Sequence, residues 1–121
     1  MPSLFEVTAG KLTGPTNGGS VTQATNKTTG VTLNTESGVI TMNNAALGAA
    51  GEATFTVTND KVAAADIPFV AIASGGTAGS YLVGVSAVAA GSFQITVTNV
   101  SGGSLSEAVV INFGIFKGSA S

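Results

Sequence analysis

The chain has 121 residues and a mass of 11.7 kDa, a length that suits one domain. Gly, Ala, Thr and Ser fill 63 of its positions, while four Lys, no Arg, six acidic residues and no His leave a net charge of −2. Cys is also absent, which excludes cysteine catalysis, a thiol or imidazole metal site, a disulfide framework and a His-based proton relay. The lack of any basic stripe argues against nucleic-acid binding.

Residues 1–20 carry Pro2 and Pro15 and end in Thr16-Asn17-Gly18-Gly19-Ser20. Leu4 to Thr8 suits one short strand, and Gly and Pro punctuate the rest, which reads as an extended N-terminal arm or lead-in. Such an arm either packs on a neighbouring subunit through Leu4, Phe5 and Val7 or simply frays. The start of the chain lacks the basic region and apolar core of a secretion signal. Synthesis in a cytoplasm without export is therefore expected. No apolar run approaches the length of a membrane span, so no membrane partner is expected.

From residue 21 to 118 the pattern is a succession of short strands, forming the domain proper. Val21–Thr25 and Val31–Asn34 come first, then Val39–Met42, with Ser37-Gly38 between the last two as a hairpin connection. In Glu52–Asn59, Ala53, Phe55 and Val57 share one face and Thr54, Thr56 and Thr58 the other, the period of two of a half-buried strand. Pro68–Ala73 is apolar on both faces and reads as a central strand. Gly75–Gly79 is a loop, and Tyr81–Val88 follows with Gly84 marking a bulge or a close backbone approach. Ser92–Asn99 alternates cleanly with Phe93, Ile95 and Val97 inward. The last strand, Ala108–Phe116, turns Val109, Ile111, Phe113 and Ile115 inward and leaves Val110 and Phe116 on its outer face.

Two alanine-rich runs, 45–50 and 62–66, are too short to be helices by propensity alone and read as loops with at most one helical turn. Ala49-Ala50-Gly51 before Thr56-Val57-Thr58-Asn59 recurs 40 residues later as Ala89-Ala90-Gly91 before Thr96-Val97-Thr98-Asn99. That recurrence fits two equivalent strands of a sandwich. The expected fold class is all-β, an eight-stranded antiparallel sandwich, jelly-roll-like, with a seven-stranded immunoglobulin-like arrangement as the runner-up.

The chain is poor in reactive groups. Glu36, Glu52, Asp60 and Glu107 fall at or beside turns, where solvated acids belong, and nothing sets a pair across a cleft as a glycosidase requires. Asn59, Asp60 and Asp66 lack the ligand spacing of a calcium loop, and Asp60 reads instead as a cap for the turn after it. The lysines Lys11, Lys27, Lys61 and Lys117 all sit in polar or turn contexts, so no hydroxyl has an obvious activating base. No catalytic, cofactor or metal residue is expected, and the reading is not an enzyme. The Thr rows serve either as solvent faces or as flat packing surfaces. Val110 and Phe116, large and apolar on an outer face, need cover from the arm or from a neighbouring subunit.

Four segments, Val21–Asn34, Gly38–Met42, Gly91–Phe93 and Leu105–Phe113, carry a likeness that runs from about Gly14 to Lys117. In these the chain resembles a family of small proteins encoded among the head genes of tailed bacteriophages, similar to capsid decoration or cement proteins. That resemblance implies a virion component on the capsid surface, synthesised in the host cytoplasm, with the major capsid protein as partner and a dimeric or trimeric state. The residues expected at its interfaces are Leu4, Phe5, Val7, Val110 and Phe116. The alternative is a tail-fibre or host-receptor module binding carbohydrate, for which the supply of aromatics, one Tyr and no Trp, is thin.

Overall fold

The structure, a computed structural model, describes residues 6–8, 11–13 and 18–118. In the lead-in, β1 (Glu6–Thr8) pairs antiparallel with β2 (Lys11–Thr13), so the short strand expected there has a partner. The remaining strands are β3 (Ser20–Thr22), β4 (Val31–Thr32), β5 (Ser37–Thr41), β6 (Glu52–Thr58), β7 (Ile67–Ser74), β8 (Tyr81–Ala89), β9 (Ser92–Asn99) and β10 (Val110–Phe116). They form two four-stranded sheets, β3-β5-β10-β7 and β4-β6-β9-β8. Neither alanine-rich run makes a helix.

The expected two-layer all-β architecture is present, with two corrections. The sheets are mixed, because the short edge strands β3 and β4 run parallel to β5 and β6. The order establishes a two-sheet sandwich and no finer jelly-roll wrapping. From β3 to β8 each strand lies in the opposite sheet from the one before it, so crossing connections dominate, and β8–β9 is a hairpin within one sheet.

Period-two alternation builds the core. Phe55 and Val57 of β6, Phe93, Ile95 and Val97 of β9, and Ile111, Phe113 and Ile115 of β10 are all buried between the sheets. Val109, just before β10, joins them, as do Ile40, Met42 and Leu47. The Phe93 and Phe113 rings cross the layer with centroids 5.5 Å apart, a tilted contact of the favourable kind.

Ser37-Gly38 is no hairpin. The residues before it belong to the second sheet, and Gly38 lies inside β5 opposite Phe113 of β10. A Cβ at Gly38 would lie 2.6 Å from Leu33 Cδ2 and 2.8 Å from Phe113 Cε1, so packing rather than a turn requires glycine there. Gly75 and Gly79 in the β7–β8 loop have φ of +84° and +79°, the conformation that L side chains avoid.

The second correction at strand level concerns Pro68–Ala73. β7 is an edge strand, not a central one, and most of its residues are exposed. β8 is the corresponding edge of the other sheet and packs beside β7. One side of the sandwich therefore ends in two long strands, whereas the other ends in the three-residue β3 and two-residue β4.

The 40-residue recurrence is realised as a reciprocal pair. β6 and β9 are antiparallel neighbours, with Asn59 N–H donating to Gly91 O and Asn99 N–H donating to Gly51 O, both at 2.9 Å. Each repeat's Asn thus meets the Gly that opens the other. Both asparagine side chains are fully buried plugs: Asn59 Nδ2 donates to Leu33 O and Thr35 O, and Asn99 Nδ2 to Leu47 O and Gly103 O.

Candidate interaction surface

The outer face of the first sheet exposes two large apolar side chains of β7, Ile67 and Phe69. On β10, Val110, Asn112, Gly114 and Phe116 face out, and the register sets Phe116 opposite Ile67 and Gly114 opposite Phe69. Gly114 has no side chain, so the Phe69 ring lies across it. A Cβ there would come 2.5 Å from Phe69 Cζ. The same ring packs on Phe116 with centroids 4.7 Å apart and planes inclined by 39°. Phe69 remains 42% exposed and Ile67 62% exposed. These side chains make an apolar patch along one margin of the sandwich.

Of the residues expected at an interface, Phe116 is therefore part of this patch, half-buried and partly covered by Phe69 of its own chain. Val110 is half-buried at the other end of β10, between Thr41 and Ser74, and does not join it. Leu4 and Phe5 lie outside the described residues, and Val7 is placed by its backbone pairing with Leu12. Phe69 escapes the sequence reading because Pro68–Ala73, apolar on both faces, has the pattern of a strand buried on both, and Ile67 lies just before that run.

The outer face of the second sheet is different in kind. Thr54 and Thr96 are cross-strand partners whose hydroxyls lie 2.8 Å apart, and Thr96 Oγ1 donates to Ser86 Oγ at 2.9 Å. The Thr rows thus form a hydroxyl band across β6, β9 and β8. Beside it Leu82 is 64% exposed.

Four titratable groups, Lys27, Asp66, Glu107 and Lys117, hold loops. Lys27, expected in a solvated turn, is buried, with its ammonium donating to the backbone oxygens of Asn43 and of Glu107, the latter at 2.6 Å. Burial lowers its pKa, and the nearby Glu107 charge opposes that shift. The Glu107 carboxylate is no free surface acid. It accepts from Thr77 N at 3.0 Å, Thr77 Oγ1 at 2.9 Å and Tyr81 OH at 2.9 Å, and these donors hold its pKa low. The β7–β8 loop is thereby clasped to the segment entering β10.

Asp66, not Asp60, binds the turn before β7. Its carboxylate accepts from Ala63 N at 2.8 Å, from Gly118 N at 3.0 Å and from the Lys117 ammonium. Burial would raise the Asp66 pKa, but those three donors outweigh it and the net shift is downward. Asp60 is exposed and makes only a loose ion pair of 3.7 Å with Lys61. Among the described residues no group of three or more acidic side chains is gathered as a metal site would need. Each carboxylate with a specific partner works as a structural tie.

No protein-family model, curated protein or solved structure matches this chain.

Proposed function

We propose that the chain is a decoration protein of a tailed-bacteriophage head, binding the outside of the shell where major capsid subunits meet. The sequence likeness in Val21–Asn34 and Leu105–Phe113 supports that reading. The structural observation that carries it is the patch of Ile67, Phe69 and Phe116 on the margin of the sandwich. Burying what remains exposed of Ile67 and Phe69 contributes about 2–3 kcal/mol per site. A binder of the assembled shell stabilises it by linkage, and repetition around the shell multiplies a modest contact. The mechanism is architectural: the chain is made in the host cytoplasm, joins the virion surface and bridges capsid subunits, with no reactive group and no cofactor.

The test is co-sedimentation of the purified chain with expanded shells of tailed-phage major capsid protein. The chain is expected to pellet with the shells and to raise their heat resistance, and Ile67→Asp to abolish both while leaving the far-UV spectrum unchanged. Absence of binding across a range of salt, or equal binding by the Asp variant, contradicts the proposal.

A further inference from the structure

Gly84 has no role in the fold of a single copy. It lies in mid-strand in β8, where glycine costs about 0.5–1 kcal/mol relative to alanine. Its φ is not among the positive ones, its pairing with Thr96 is regular, and a Cβ there would meet nothing within 4 Å. The bulge of this strand falls after it, between Val85 and Ala87. The missing side chain deepens a shallow, open hollow on the outer face, lined also by Leu82, Ser86, Thr96 and Thr98 at the sheet edge.

Two residues away on the same face and the same edge strand stands Leu82, 64% exposed. A knob and a hollow two positions apart on one edge are self-complementary. If two β8 edges pair antiparallel about a twofold axis through Val83, residue 82 of each copy falls directly opposite residue 84 of the other. Opposite residues share a face with Cβ atoms about 4.5–5.5 Å apart, so each Leu82 covers the other's Gly84.

Native edges are blunted by charge, brevity, bulges or cover; the bulge of β8 lies beyond Val85, outside the stretch Tyr81–Val85 that this register pairs, and no charged residue occurs from Ile67 to Ser106. Two copies, each of net charge −2, therefore meet here without like charges in contact. We propose that the chain forms a twofold dimer by antiparallel pairing of β8 edges, with Leu82 of each copy seated over Gly84 of the other. The paired strands make an interface of the small class, below about 1,200 Å², so the dimer is concentration-dependent. This dimer stands apart from shell binding, and its test uses the purified chain alone.

Sedimentation equilibrium on the wild type, Gly84→Val and Leu82→Thr reads the association directly. The wild type is expected to dimerise and both variants to weaken association by at least about tenfold. Gly84→Val should keep the monomer's thermal midpoint, because its side chain enters open space. The absence of native cysteine allows a second readout. Mixed Leu82→Cys and Gly84→Cys chains should form disulfide-linked pairs on mild oxidation, while either variant alone should not. A wild type that stays monomeric to about 1 mM, a Gly84→Val chain that associates as the wild type does, or equal cross-linking by a single variant would overturn the proposal.

Discussion

Tyr81 is the only tyrosine in a chain without tryptophan, so its ionisation can be followed alone. Burial, together with the Glu107 carboxylate that accepts its hydroxyl proton, pushes its pKa up to about 12. The neutral phenol is thus favoured by the fold. Its contribution is complete below the unfolded value near 10 and is lost as pH rises to about 12, amounting to about 2–3 kcal/mol. Absorbance near 295 nm should show the folded chain titrating about two units above the unfolded one; a midpoint near 10 in the folded chain would show that the clasp is absent. Asn99 makes a complementary case. Asn99→Ala removes an amide that donates to Leu47 O and Gly103 O and accepts from Ser101 N and Oγ. It should cost about 1–3 kcal/mol in a denaturant titration, since Ser101 N loses its acceptor while Leu47 O and Gly103 O fall back on one donor each, Leu105 N and Ser101 Oγ.

Among the strands, glycines separate packing from surface. Gly38→Ala drives a methyl into Leu33 and Phe113 and should destabilise by about 1–3 kcal/mol. Gly84→Ala meets nothing and should leave the monomer as stable or more so, and a denaturant series on both checks the contrast. Strand identity was legible wherever one face is buried: Phe93-Ile95-Val97 and Val109-Ile111-Phe113-Ile115 alternate because their other face meets solvent or small residues. Placement within a sheet was not legible. Pro68–Ala73 is apolar on both faces, the same local pattern as a central strand, yet its position at the edge depends on β10 taking the central place. Gly38 misled for a related reason, because its need for glycine comes from Phe113, which lies far away in sequence. Lys27 and Glu107 looked like solvated turn residues, and only the folded loops bring carbonyls and hydroxyls around them.

At the scale of the whole molecule, the division of labour follows charge. The four described segments that hold fixed ionic or carboxylate ties, around Lys27, Asp66, Glu107 and Lys117, fasten loops and the chain's end to the sandwich. Strands β7 and β8 contain no charged residue of their own and expose Ile67, Phe69 and Leu82. Two long edge strands without charges of their own fit the two proposed contacts, the shell at the β7–β10 face and a second copy at β8. Electron cryomicroscopy of phage heads incubated with the purified chain tests that claim most directly. Ordered density for the two-sheet sandwich is expected on the outer shell between capsid subunits, with the Ile67–Phe69 face turned toward it. Bare shells, or the chain found only at the tail tip, would contradict it.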